Sequence, residues 1–223
     1  MLISHQKKFI FVHIMKNAGQ SIESALLPSS THNALHLFLY RAYRRVARYT
    51  RIPVILPFRW HPQPMWHHVT AHQIRERVGA EMYDSYFSFA VVRNPWDWMV
   101  SRYHYTLKDK RHPAHQRVSR MKGFTEYMLW RCTPEHIGPS QKDFVFSPDG
   151  HSIVNFIIRY ENLAQDFNEV CIRIGVEAAL PRINVTKHRP YQELYTPDLV
   201  DLVRRTFAAD IELFGYTFES QVG

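Results

Sequence analysis

Two runs of β-branched and aromatic residues, Phe9–Ile14 and Phe87–Val92, each empty straight into the start of a helix. This constrains the fold more than any other feature of the chain. Runs so short and so apolar read as strands buried on both faces. A helix that begins where such a strand ends must cross back over the sheet, which sets the next strand parallel to the first. A third run, Phe156–Tyr160, repeats the arrangement with a helical pattern from Asn162 to Ile174 closed by Gly175. The expectation is an α/β chain in three layers, a mostly parallel central sheet with helices on both faces. At 223 residues, the chain suits one domain spanning 1–223. Residues 28–66 fit no part of the alternation and read as a variable insertion.

Local signals place the helices. Ile22–Leu27 is stopped by Pro28. Thr70 to Gln73 has the form of a capping box, and Gly79 ends that helix. Asn94 caps the helix after the second strand, with Pro95 at its first position. Leu107–Arg120 is basic and His-rich and reads as an exposed loop or a frayed helix, followed by a helix over Thr125–Arg131. A last helix starts at Thr196-Pro197-Asp198 and ends at Gly215.

The net charge of +8, with fourteen His besides, suits an anionic partner without choosing among nucleotide, acidic glycan, nucleic acid and membrane surface. No nucleic-acid reading module is present, so nucleic acid is set aside. Cys132 and Cys171 form no CxxC, no Cys/His set has zinc spacing, and two free thiols are expected. No apolar stretch approaches the roughly 20 residues that span a bilayer, and Phe9–Ile14 is too short for a signal-peptide core. A cytoplasmic location and no metal are therefore expected.

The loop Lys16-Asn-Ala-Gly-Gln-Ser21 sits where backbone N–H groups and a helix N-terminus converge. Gly19 would let the backbone approach a phosphate, Lys16 adds charge and Ser21 a hydroxyl. The loop is not a Walker A motif, since its Lys precedes its only Gly. At the end of the second strand stands Arg93, with Ser101 eight residues on along the helix begun by Asn94. Ligands collect at the carboxyl ends of strands in open α/β sheets. A turn back over the strand end brings the forked donors of Arg93 and the hydroxyl of Ser101 to one anion.

The segment His13–Ile22 resembles the 5′-phosphosulfate loop of sulfotransferases that use 3′-phosphoadenosine 5′-phosphosulfate (PAPS). It is most similar to the carbohydrate-acting, family 2 branch, whose usual form is His-Ile-Pro-Lys-Thr-Gly-Gly-Thr-Ser-Ile. Lys16, Gly19, Ser21 and Ile22 match, while Met15, Asn17, Ala18 and Gln20 depart from it. Phe89–Tyr103, with Val-Arg-Asn-Pro-Trp at its centre, resembles the family's 3′-phosphate motif. Arg159–Leu163, Leu180–Asn184 and Tyr191–Tyr216 are similar to later family segments.

The resemblance implies a P-loop-like sulfotransferase fold and a metal-free transfer from PAPS to an acceptor hydroxyl, of a carbohydrate or glycoconjugate. It implies that Lys16, Asn17, Ala18, Gly19, Gln20 and Ser21 cradle the phosphosulfate and that Arg93 and Ser101 hold the 3′-phosphate. Lys16 would also stabilise the leaving oxygen. The loop carrying Lys187, His188 and Arg189 is one where relatives place basic residues near the donor.

Acceptor activation calls for a base near neutral pH, with His67, His68 and His72 as candidates; the resemblance implies a base between the two motifs in a His-(apolar)-(Ser/Thr)-Ala context, which His68-Val-Thr-Ala71 fits best. Glu23 is its rival. Arg41, Arg44, Arg45, Arg48 and Arg51 recur at helical spacing and suit an anionic glycan, a glycolipid or peripheral contact with a membrane. The competing readings are a nucleotide-dependent phosphotransferase and a non-catalytic binder of polyanions.

Overall fold

A computed structural model of the chain describes residues 1–30, 68–181 and 190–219. The Arg41–Arg51 pattern, His67 and the Lys187–Arg189 loop lie outside these residues. At the centre is a four-stranded sheet in the order β1 (Leu2–Ser4), β2 (Phe9–Val12), β3 (Phe87–Val92) and β4 (Phe156–Arg159). Strands β2, β3 and β4 are parallel, with Phe11 opposite Phe89 and Phe89 opposite Phe156. The edge strand β1 pairs antiparallel with β2 through a tight turn in which Lys8 is left-handed, at φ 49°. The expected mostly parallel sheet is present, with β1 as an antiparallel strand that the apolar pattern alone did not reveal.

Period-2 alternation divides the strands between two cores. Leu2, Phe9, Phe11, Phe89, Val91 and Ile158 face one side. There α1 (Gly19–Leu26) contributes Ile22 and Leu26. Ile3, Ile10, Val12, Ala90 and Val92 face the other side. That face is covered by α2 (Ala71–Val78), which with α3 (Ala80–Asp84) precedes β3, and by α4 (Pro95–Lys108) and α5 (Phe124–Arg131). Helix α6 (Leu163–Ile174) returns to the first side with Phe167, Val170 and Ile174. The C-terminal α7 (Pro197–Thr206) and α8 (Ala208–Phe214) pack on the second. The last helix expected from sequence is thus two, broken at Phe207, which is itself buried.

The caps form as the sequence dictates. Thr70 and Gln73 close a reciprocal capping box, the Asn94 side chain accepts from Trp96 N, and Gly175 and Gly215 end α6 and α8 in the left-handed conformation. The β2 strand ends at Val12, two residues early, because His13 turns into the loop and α1 begins at Gly19 rather than Ile22. Among the described residues, no helix is long and apolar enough to cross a membrane, and no group of His, Cys, Asp and Glu has the form of a metal site.

The carboxyl ends of β2 and β3 are held by a buried polar network that has no sequence signature. Gln141 Oε1 accepts from Asn17 Nδ2 (2.7 Å) and from Arg93 N (2.8 Å), and Gln141 Nε2 donates to Arg93 O (2.7 Å). The backbone N–H groups of Gln141 and Lys142 donate to the Asp210 carboxylate at 2.9 and 2.8 Å, tying α8 to the same point. Asn17, Gln141 and Asp210 have no exposed surface. Replacing Gln141 with Leu leaves Arg93 N and O without partners in a place water does not reach. At about 1–3 kcal/mol for each orphaned group, Gln141→Leu should destabilise the fold by roughly 2–5 kcal/mol, read as a lower urea midpoint at unchanged slope.

Candidate active site

The loop from β2 into α1 carries two left-handed residues that are not glycine, Lys16 at φ 67° and Ala18 at φ 55°. Each costs about 1–2 kcal/mol for an L-residue, so the surrounding structure must impose them. Alternating backbone conformations of this kind gather N–H groups into a concavity suited to an anion. Ala18 is the departure from the glycine usual in the resembling families, and its conformation is the physical reason for glycine there. Gly19 also has a steric reason of its own. Its position leaves no room for a side chain, because an added Cβ would lie 2.0 Å from His13 Nε2.

His13 is the strut beneath the loop. Its Nδ1 lies 2.9 Å from Glu23 Oε1, and Glu23 also takes the α-amine of Met1 at 3.1 Å. Glu23 is 2% exposed. Burial holds His13 down to about 4, so the ring is neutral at pH 7 and donates its Nδ1 proton to the carboxylate. Glu23, expected as the rival base, is thereby engaged inward in positioning His13.

Three hydrogen bonds join the Lys16 loop to the Arg93 segment. Asn17 Nδ2 donates to Val91 O (2.8 Å), Arg93 Nη1 to Lys16 O (3.2 Å), and Trp98 Nε1 to Met15 O (2.8 Å). The two expected anchors therefore stand side by side at neighbouring strand ends. The Asn17 amide nitrogen is engaged in this tie and in the bond to Gln141, while its Oδ1 is buried with no hydrogen-bond partner among the described residues. Arg93 is aimed by its own surroundings: Nε donates to Asp97 Oδ2 at 2.6 Å, and the guanidinium lies 4.0 Å from the centre of the Tyr160 ring. Asp97 is fully buried one helical turn along α4, which fixes the Arg93 fork at the strand end.

Ser101 lies on α4 at 9% exposure, and its hydroxyl makes no hydrogen bond among the described residues. One turn on, Tyr105 places its ring 4.2 Å from Lys16 Nζ. The Lys16 ammonium is pulled down to about 8, first by burial and then by the charges of Arg93 and Lys108. Lys108 is thus a further cation at this end of the sheet, found by proximity rather than by motif. Ser21 is buried in the first turn of α1, and Gln20 is exposed beside it.

His68 packs edge-on against His13, ring centres 5.1 Å apart, and its Nδ1 lies 3.3 Å from His13 O. A carbonyl only accepts, so Nδ1 carries the proton and the basic lone pair sits on Nε2. Burial is the main cause that lowers its pKa, and the ring is neutral at pH 7. His72 instead pairs with Glu76 at 3.4 Å on the exposed side of α2. A separate hollow of about 680 Å³, lined in part by His72, Arg75, Ser88 and Asp149, opens at the opposite end of the strands and is lined by none of Lys16, His68, Arg93 and Ser101.

Comparison with known proteins agrees with this geometry. An uncharacterized protein of Archaeoglobus fulgidus is 32% identical over 127 residues, which cover 56% of this chain and 98% of that protein. The model of the sulfotransferase family matches residues 1–217, spanning the Lys16 loop, the Arg93–Ser101 segment and the C-terminal helices. With a match that runs over nearly the whole chain, the protein belongs to the sulfotransferase family, in its family 2 branch.

Proposed function

We propose that this protein transfers a sulfuryl group from PAPS to a hydroxyl of a carbohydrate or glycoconjugate acceptor. The observation that carries this reading is the direct hydrogen bonding of the Lys16 loop to the Arg93 segment, which sets two anion-binding groups at adjoining strand ends. A nucleotide with phosphate at both its 3′ and 5′ positions calls for two such anchors. The Lys16 loop takes the phosphosulfate and Arg93 with Ser101 the 3′-phosphate. The likeness of His13–Ile22 to the carbohydrate-acting branch supports a sugar hydroxyl as acceptor.

The acceptor oxygen attacks sulfur in line with the bridging oxygen. The S–O bond to the 5′-phosphate breaks, the acceptor proton passes to His68 Nε2, and 3′,5′-adenosine bisphosphate (PAP) leaves. Negative charge grows on the departing phosphate oxygen, where the Lys16 ammonium and the loop N–H groups stabilise it. His13 keeps the loop and His68 in register, since its ring touches Gly19 and its carbonyl orients the His68 imidazole.

Calorimetric titration separates this from a phosphotransferase: PAP should bind in clear preference to ATP and AMP, and preference for ATP would overturn the donor assignment. Arg93→Ala should cost PAP about 1.5–3 kcal/mol while barely changing AMP. Because that substitution also strips the buried Asp97 of its partner, Ser101→Ala is the cleaner probe, with a loss of about 0.5–1.5 kcal/mol for PAP alone.

His68→Ala should lower kcat by about 10²–10⁴-fold with PAP affinity nearly intact. His72→Ala should change little, and wild-type kcat in His68→Ala would remove the base.

The pH dependence of kcat/KM should be bell-shaped, reporting the free enzyme. Activity rises as His68 loses its proton, with an acid limb below the ordinary histidine value of 6.5. It falls again near pH 8 as Lys16 loses its own. In kcat the alkaline limb should move upward, because bound phosphates favour the ammonium, and Lys16→Arg should move it out of range in both parameters.

A further inference from the structure

Beside the reaction centre, two arginines are packed together without a carboxylate. Arg102 follows Ser101 on α4, and Arg131 is the last residue of α5. Arg102 lies over the Trp98 ring, 4.7 Å from its centre, and the same indole holds the phosphate loop through Met15 O. Arg131 is 7% exposed, and its Nη1 is buried with no hydrogen-bond partner. The Tyr127 hydroxyl favours the charged form of both guanidiniums. Among the described residues neither makes an ion pair. Each feels burial most strongly, and Arg102, brought down to about 10, feels Arg131 next. The other groups that act on them, Tyr127 and Cys132, are themselves raised by burial and stay neutral.

Two like charges taken out of water without a counter-ion are costly, and folded chains normally avoid the arrangement by placing an acid nearby. The acids in this region are engaged elsewhere: Asp109 with Arg111 and Tyr105, and Asp97 with Arg93. The pair is also well placed. Through the Trp98 indole, which also holds Met15 O, Arg102 stands beside the loop that carries Lys16. An Arg with an unused N–H beside a second Arg forms a fork suited to a carboxylate or a sulfate ester.

We propose that Arg102 and Arg131 form an acceptor subsite for an oxyanion, a carboxylate or sulfate group carried by the molecule that is sulfated. The ligand's identity rests on the sulfotransfer reading above, and the unpaired cations stand independently of it. The subsite makes the enzyme selective for acidic acceptors: a neutral one leaves both guanidiniums without a counter-ion, while an acidic one neutralises them.

The test uses the full chain saturated with PAP, so that the donor site is filled, and titrates inorganic sulfate by calorimetry. Sulfate should bind the wild type, and Arg131→Gln and Arg102→Gln should each weaken it about 10- to 100-fold, the worth of a hydrogen bond to a charged group. PAP affinity should stay unchanged in both variants. In chloride buffer the variants should melt no lower than the wild type, since each removes half of a like-charge pair; a role confined to holding Tyr127 predicts a lower melting temperature and unaltered sulfate binding. Arg102→Gln, which is only partly buried, keeps the test open if Arg131→Gln fails to fold. A second arm compares kcat/KM for an acidic oligosaccharide and its carboxyl-reduced form. Preference for the acidic form, lost in Arg102→Gln, supports the subsite. Sulfate binding with equal use of both acceptors makes it a site for free anions and overturns the acceptor role. No sulfate binding at all, or equal binding in wild type and variants, overturns the site itself. Failure of PAP to bind overturns the donor reading, and the sulfate titration then still judges the arginine pair in donor-free protein.

Discussion

The rest of the site depends on the buried bridge Asn17–Gln141–Arg93. Parallel strands place their carboxyl ends together, but a sheet alone does not fix the loops that follow them. Here a single glutamine satisfies the Arg93 backbone on both its N–H and its carbonyl and holds the Asn17 amide besides. With these groups sealed from water, their alternatives to one another are orphaned polar atoms, and that penalty holds the geometry. The left-handed turns at Lys16 and Ala18 are tolerable because the residue between them is anchored in this way.

The electrostatics follow from that anchoring. Lys16, Arg93, Lys108, Arg102 and Arg131 are drawn to one end of the sheet, and the buried acid among the motif residues, Asp97, is spent on aiming Arg93. A site of this sign raises the local concentration of anionic substrates and lowers the proton affinity of its own ammonium and imidazole groups. Burial brings Lys16 near 8 and also lowers the pKa of His68, so one environment weakens the proton affinity of both groups. Belonging to the sulfotransferase family accords with this distribution of charge.

Much of the scaffold was legible because its signals are local. The strand Phe87–Val92, the Thr70–Gln73 capping box, the Asn94-Pro95 helix start and the glycines at 175 and 215 each rest on residues within a few positions of one another. The edge strand Leu2–Ser4 was missed because three residues carry too little periodicity to register. The break at Phe207 was missed because its neighbours continue a helical pattern, and only packing of the Phe207 ring against Trp98 gives a reason for the interruption. The tie of the Asn17 amide nitrogen to Val91 and Gln141 has no sequence signal, because both partners lie far along the chain.

By itself, the sequence determined the alternation of strand and helix and the placing of Lys16 and Arg93 at strand ends. These follow from hydrophobic period, capping and chain direction, all of which act over a few residues. The tertiary structure alone decided which polar groups are spent and which are left for chemistry. Gln141 acts on Asn17 across 124 residues, and His68 takes its tautomer from a carbonyl 55 residues away. Arg102 feels the charge of Arg131 because the helices that carry them pack on one another. Burial and hydrogen-bond partnership belong to the packed chain, and a residue's type cannot state in advance what will surround it.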